Sequence, residues 1–410
     1  MTVSAFAAFQ CVGIEIEYMI VADDDLRVLP IADRILQHEG VPCAEVARGA
    51  LGWSNELVLH VLEVKNREPA ASLAELAPAF AAEPGELERR LAPFGARLMP
   101  GAMHPWMNPR EETRLWPHDN DAIYRAYHRI FDCCAHGWAN LQSMHVNLPF
   151  RGDEEFARLH AAVRCVLPIL PALAASSPFA EGRATGYADY RMQVYWNNAA
   201  AFPAITGEVI PENASSHAEY AMRILEPMYR AIVPLDPEQV LQHEWLNSRG
   251  AIARFDRSAI EIRVIDSQEC PQADLAIAAA AIGAARMLYE TGDLAAQQNL
   301  STQALAKLLR ACVRDGENAG IDNDDYLRLF GLGTGPRAAA KVWDALIDRL
   351  AAREPDWQQW ARPLSTILAQ GTLSTRLLRA AGASPSRERL AGIYRTLCDC
   401  LREGRQFMAD

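Results

Sequence analysis

Glu15 and Glu17 stand two residues apart in the stretch Gly13-Ile14-Glu15-Ile16-Glu17-Tyr18-Met19-Ile20-Val21. Read with period two, this is a strand with Ile14, Ile16, Tyr18 and Ile20 on one face and both carboxylates on the other. The strand rise then puts the carboxylates roughly 7 Å apart. Like charges so close need a counter-charge, and they are well placed to share magnesium ions. An edge strand with a wet face is the alternative reading, and other acidic strands opposite this pair would decide between them.

Three further segments carry polar residues of the same kind. SNELVLHVLEVKN, Ser54 to Asn66, is rich in Val and Leu and reads as a strand bearing Glu56 and Glu63. Their odd separation places them on opposite faces of a straight strand, so a shared site demands a bulge or a bend between them. In QSMHVNLPF, Gln142 to Phe150, the alternation leaves His145 on the polar face with Ser143 and Asn147. A lone histidine on a strand is more often structural than a ligand. In AIEIRVID, Ala259 to Asp266, Ile260, Ile262 and Val264 point one way and Glu261 and Arg263 the other. That charged pair is either a compensated buried pair or a metal ligand beside a phosphate-clamping arginine.

An antiparallel sheet can keep one face on the core and leave the other open. If the polar faces coincide, Glu15, Glu17, Glu56, Glu63, His145 and Glu261 converge on one cavity. Five carboxylates there would repel one another unless cations intervene. Oxygen donors with a single imidazole favour magnesium or manganese over zinc. An acidic cluster that needs divalent metal commonly handles phosphate, and Arg263 and Arg191 are the candidate phosphate or carboxylate clamps. No Walker A or Rossmann glycine pattern and no Gly-x-Ser-x-Gly elbow occurs, which argues against a glycine-loop nucleotide site and against serine hydrolase chemistry.

The elements that must position these residues follow along the chain. A turn at Asp23-Asp24-Asp25 precedes a short helix near Ile31 to His38. Residues 71–96 read as a helix with a proline-marked interruption, LMPGAMHPW as a strand running into a loop, and 108–140 as a polar, aromatic loop followed by a helix. Residues 155–177 form an apolar helix kinked at Pro168 and Pro171. It ends in SSPFAEGRATGYADYR, a loop whose polar residues have no role in a core and which suits substrate binding. Residues 215–233 are helical. From Asp274 onward five segments (272–292, 302–319, 338–353, 356–371, 386–405) have helical apolar spacing. Strands first and helices last predict an α+β fold around an antiparallel sheet. The division expected is one catalytic domain over 1–410, with a sheet-bearing core at about 10–270 and a helical part at about 271–410.

The composition bounds the function. The chain has 410 residues, half of them hydrophobic and 22% charged, as in an ordinary soluble protein. A net charge of −12 argues against nucleic acid as a principal partner. No apolar run is long enough to cross a bilayer, and Met1 to Gln10 lack the regions of a signal peptide. Nine scattered cysteines with no CxxC pair fit reduced thiols in a cytoplasmic protein. Cys133, Cys134 and His136 match no standard zinc spacing and lack a fourth donor.

At these residues the chain resembles glutamate–cysteine ligase family 2, the carboxylate–amine ligases. The match comprises GIEIE at 13–17, the Glu56/Glu63 pair, His145-Val146, LPILPALAASSPFAEGRATG at 167–186, and Ile260-Glu261-Ile262-Arg263 followed by Asp266. These cover residues 10–270, and ILAQGTLSTRLL near 367 fits more loosely. The resemblance implies a curved antiparallel sheet forming a funnel, like that of glutamine synthetase, with ATP and metals at its wall. It implies magnesium ligands at Glu15, Glu17, Glu56, Glu63, His145 and Glu261, with manganese as an alternative ion. Arg263 would contact phosphate, Arg263 and Glu63 would carry catalysis, and Arg263 with Glu261 would face the nucleotide. The loop from Arg183 to Arg191, with Tyr190, would lie near the amino-acid substrate. The chain departs from many relatives at Asn147-Leu148, where they have a second His-Val, and at residues 290–305. The resemblance therefore carries the reaction type further than it carries cysteine as the amine.

The implied reaction activates a carboxylate with ATP as an acyl phosphate and then forms an amide, γ-glutamyl by resemblance, with an amine. Its partners are small amino-acid and amine substrates, with a homo-oligomer compatible and neither nucleic acid nor membrane expected. Two other readings stand beside it: a guanidino-type small-molecule phosphotransferase, and a non-catalytic nucleotide binder that keeps the fold.

Overall fold

The structure is a computed structural model that describes residues 6–354 and 357–409. Eight strands form its main sheet: β1 (Gly13–Ala22), β2 (Glu45–Arg48), β3 (Leu51–Asn55), β4 (Val61–Asn66), β5 (Ala96–Met99), β6 (Ser143–Pro149), β7 (Ala251–Arg254) and β8 (Ala259–Asp266). Their order is β7-β8-β6-β1-β4-β3-β2, with β5 paired to the far end of β1, and every pairing is antiparallel. The expected antiparallel α+β sheet is present.

Period-two alternation sorts the sheet's faces. Ile14, Ile16, Tyr18 and Ile20 of β1, Leu62 and Val64 of β4, Met144, Val146 and Leu148 of β6, and Ile260, Ile262 and Val264 of β8 all enter one hydrophobic core. Helices α1 (Leu73–Leu91), α3 (Gly152–Val166) and α5 (Pro271–Thr291) cover that face; α2 (Asp121–Phe131) lies on the other side of the sheet, over the polar residues. Pro168 and Pro171 do end the long helix: α3 stops at Val166, and a tight turn over Leu167–Ile169 leads into a second short helix at Pro171–Ala174.

The segment 54–66 is two strands rather than one. β3 ends at Asn55, a turn runs through 56–60, and β4 begins at Val61. His60 anchors that turn, its Nε2 lying 2.7 Å from the Ala139 carbonyl oxygen. Because the chain reverses between them, Glu56 and Glu63 reach the same cavity despite their odd separation. The edge strand β7 is a short apolar run with no strong signal in the sequence.

The other face of β1 changes character along its length. Glu15 and Glu17 face the cavity, whereas Met19 and Val21 enter a second core with Met99, Leu377 and Leu397. That core is supplied by α9 (Leu373–Ala381) and α10 (Arg387–Glu403), so the C-terminal helices close one end of the open face. Among them, Arg376 is fully buried and donates to the Glu269 carboxylate and to the Phe407 carbonyl oxygen, both at 2.5 Å. This pair ties α9 and the C-terminal residues to the chain just after β8. Removing one partner of a buried ion pair strands a charge. Glu269→Ala should therefore lower the free energy of unfolding by about 3 kcal/mol, read from the midpoint of a urea titration, and a change under about 0.5 kcal/mol would show that the pair does not hold the tail.

Candidate active site

On the open face lies a cavity of about 680 Å³. Strand register brings its side chains together. Glu17 is paired with Glu63, and Glu63 with Ser54. Glu15 is paired with Lys65 on one side and His145 on the other. Asn147 lies between Gly13 and Glu261. A Cβ added at Gly13 would stand 3.1 Å from the Asn147 Cβ, so any larger residue there would press Asn147 aside by a few tenths of an ångström.

The contacts form one network. His145 Nδ1 is 3.2 Å from Glu15 Oε2, and Asn147 Nδ2 donates to Glu15 Oε1 at 3.0 Å. Glu17 Oε2 accepts from the Ser143 amide at 2.6 Å and from its hydroxyl at 3.1 Å. Glu63 Oε1 accepts from Ser54 Oγ at 2.6 Å and pairs with Lys65 Nζ at 3.1 Å. Glu261 takes Arg263 Nε at 2.5 Å and Arg254 at 3.5 Å, with His145 Nδ1 at 3.6 Å. The predicted residues Glu15, Glu17, Glu56, Glu63, His145, Glu261 and Arg263 therefore all line one cavity.

Two sets of donors are close enough to hold a cation: Glu15, Glu63 and His145, and Glu17, Glu56 and Glu63, the atoms of each set lying within 4.8 Å of one another. Glu63 belongs to both. Carboxylate oxygens with one imidazole, and no cysteine in the lining, fit a hard divalent ion such as magnesium or manganese. Glu261 stands outside both sets, its carboxylate occupied by two guanidinium groups.

The carboxylate cluster distributes charge unevenly. Burial, with the neighbouring Glu17 and Glu63 charges, pushes the Glu56 carboxyl well above its ordinary range. Burial and the Glu15 charge push Glu63 up to about 7 against the pull of Lys65. At Glu15 burial works in the same direction, but the hydrogen bond and charge of His145, with Lys65, hold its carboxyl well below the usual range. Burial disfavours the charged form of His145, yet Glu15, Glu17 and Glu261 raise it to about 9. The imidazolium serves as the cluster's resident cation.

Arg191 is among the residues lining the cavity, with its guanidinium held by the protein's own groups. It is 1% exposed, its Nε donates to Asp266, and its terminal nitrogens reach the Arg263 carbonyl oxygen at 3.3 and 3.4 Å. Asp266 also accepts from the Ser176 amide at 2.9 Å and from Ser177 Oγ at 2.8 Å. The register of β8 against β6 shifts between Ile262 and Ile265, so Arg191 braces the irregular stretch that presents Arg263. Arg183 is exposed on a hairpin and paired with Glu181 at 3.0 Å, and neither it nor Tyr190 is among the residues lining this cavity.

Several lining residues had gone unassigned. Lys65 shares the alternation of Glu63 and is readable from it, whereas Ser54 reaches the cavity through its pairing with Glu63. Arg254 had no signal, because β7 itself was not legible. Helix α2 contributes Tyr124 and Tyr127, and Trp138 and Trp245 complete an aromatic wall, with Tyr127 centred 5.3 Å from Trp138 and 5.9 Å from Trp245.

The raised Glu63 pKa has a stability consequence. The folded value of about 7 exceeds the ordinary 4.5, so its contribution is fully present below pH 4.5 and is lost as pH rises through 7. In EDTA, Glu63→Gln should gain on the wild type between pH 5 and pH 8 by up to about 3 kcal/mol, measured as the difference in melting temperature at each pH. An unchanged difference would mean that Glu63 bears no such strain.

Comparison with known proteins places this arrangement. Residues 11–396 match the family described as glutamate-cysteine ligase family 2. An uncharacterized protein from Archaeoglobus fulgidus is 38% identical over 271 residues, 65% of this chain and 72% of that protein. The glutamate–cysteine ligase of Francisella tularensis, solved in complex with AMP, superposes with a TM-score of 0.62 at 13% identity, covering 97% of this chain and 90% of that one. A bifunctional glutathione synthetase from Pasteurella multocida superposes with a TM-score of 0.58 at 14% identity, over 96% of this chain and 52% of that longer one. The fold is that of these ligases, and the chain belongs to glutamate-cysteine ligase family 2.

Proposed function

We propose that this chain is an ATP-dependent carboxylate–amine ligase that forms an amide, with glutamate as its first candidate carboxylate substrate. The observation that carries the reading is the pair of three-donor sets sharing Glu63, with Arg263 on the same wall. In the first step a substrate carboxylate oxygen attacks the γ-phosphorus of ATP, an acyl phosphate forms and ADP leaves. In the second an amine nitrogen attacks the acyl carbon, the amide forms, and inorganic phosphate departs as the amine loses a proton.

Glu15, Glu63 and His145, and Glu17, Glu56 and Glu63, are the residues that would hold magnesium or manganese, whose chemistry is to neutralise phosphate charge. Arg263 is the phosphoryl-facing cation. Its guanidinium is aligned by Glu261 on one side and by the Arg191-braced backbone on the other, so charge developing on phosphoryl oxygens meets a donor that need not reorganise. Lys65, held by Glu63 and Glu45, adds a second fixed positive charge. The aromatic wall excludes water from the acyl phosphate, whose hydrolysis would waste the nucleotide. Orientation of carboxylate and amine against each other is the remaining contribution, with effective molarities on the order of 10⁵ M or more.

Incubation with ATP, magnesium, glutamate and a mixed pool of amino acids and amines, followed by mass spectrometry, should give an amide together with ADP and phosphate. A stable phosphorylated product would identify a phosphotransferase instead, and ATP binding without turnover a non-catalytic binder. Arg263→Lys should lower kcat by about 10²- to 10³-fold, and so should Glu261→Gln, with far-UV circular dichroism showing each variant folded. Wild-type rates in both variants would put the chemistry elsewhere.

A further inference from the structure

A second cluster of metal-ligating side chains lies away from the carboxylate cavity, at the end of α2. His128 is on the last turn of that helix and Asp132 follows at the i+4 position, so both project from one side of it. Asp132 then adopts a left-handed conformation, φ 53°, which ends the helix and turns the chain back on itself. The carboxylate of Asp132 accepts the backbone N–H of Cys134, and this draws Cys134 over the helix terminus. The outcome is that a His128 ring nitrogen, an Asp132 oxygen and the Cys134 sulfur all lie within 4.8 Å of one another. The turn at Asp132 adds Cys134 to a pair that the i,i+4 spacing already sets side by side.

The donor types separate this cluster from the cavity. Imidazole, thiolate and carboxylate together suit a borderline-soft ion, whereas the cavity's oxygen donors suit a hard one. Cys134 is half-buried and the Asp132 side chain is 53% exposed, so an ion would have access and would keep a coordination position open to water. Arg110 pairs with the same Asp132 carboxylate. A carboxylate has lone pairs for both partners, and a charged hydrogen bond from outside is the usual support of a ligating oxygen. Neighbouring residues take no part: Cys133 is fully buried, and His136 faces Glu181 at 4.0 Å and the Asn140 amide at 3.0 Å.

We infer that His128, Asp132 and Cys134 form a zinc-binding site, with water as the fourth ligand, that clips the C-terminal end of α2. Because α2 carries Tyr124 and Tyr127 on the cavity wall, an ion here fixes the helix that bounds the substrate space from outside that space. The inference does not depend on the ligase reading, since these residues are not cavity residues.

Cobalt(II) serves as the probe, because a cobalt–thiolate bond gives a charge-transfer absorption that carboxylate and imidazole donors cannot give. Full-length protein saturated with magnesium should bind one cobalt per chain with that absorption, and one equivalent of zinc should abolish it. Cys134→Ser should remove the band, His128→Ala should weaken zinc binding at least about tenfold, and Cys43→Ser should change neither. Far-UV circular dichroism checks that each variant is folded. Absence of the thiolate band in the wild type, or its persistence in folded Cys134→Ser, would overturn the assignment.

Discussion

Repulsion among carboxylates on a single sheet face is the constraint around which the rest of this molecule is arranged. Glu15, Glu17, Glu56, Glu63 and Glu261 line one cavity, and each is at least partly removed from water. Such a group is tolerable only if every negative charge has a cation, a proton or a hydrogen-bond donor beside it. The strand register supplies these partners one by one: Lys65 and His145 on either side of Glu15, the Ser143 amide on Glu17, Ser54 and Lys65 on Glu63, Arg263 and Arg254 on Glu261. A slip of one residue in any of these pairings would turn the charged set into the hydrophobic core, which makes the register and the site one and the same specification.

Much of that specification is legible in sequence because a strand's side chains alternate. Period two placed Glu15, Glu17, His145, Glu261 and Arg263 on polar faces before any pairing was known, and the pairing then assembled those faces. The bend at 56–60 was less accessible. Alternation assigns faces only along a straight strand, and the apolar Leu57, Val58 and Leu59 hide a turn held by a contact from His60 to a distant carbonyl. Long-range partners were inaccessible altogether. Arg191 looks like a substrate clamp in a polar loop, and only the fold brings it to Asp266 and the Arg263 backbone. Arg183 has the same local character and ends up on a solvent-exposed hairpin. Nothing near either residue distinguishes them.

The C-terminal helices have a part in the site without contributing a carboxylate to it. The odd-numbered face of β1 is charged at Glu15 and Glu17 and apolar at Met19 and Val21, and the change falls where α9 and α10 begin to cover the sheet. Burying Met19 and Val21 against Leu377 and Leu397 closes one end of what would otherwise be an open trough. The cavity is thereby confined to the part of the strand whose side chains can use it. The tail that strand-and-helix spacing marks only as helical is thus what gives the funnel its end.

The same charge arithmetic determines what a divalent ion would have to displace. Lys65, Arg254, Arg263 and protonated His145 offset four of the five carboxylates, and the raised Glu56 accommodates the fifth by holding a proton. An imidazole that ligates a metal must be neutral, and so must a ligating carboxyl give up its proton. Cation entry would therefore be an exchange in which His145 and Glu63 release protons and the ion takes over their role. Such an exchange would favour metal as pH rises toward and past 7 for Glu63, and later for His145, whose proton is held up to about 9. A divalent ion held there would replace one form of positive charge with another and would leave the cluster able to meet further negative charge.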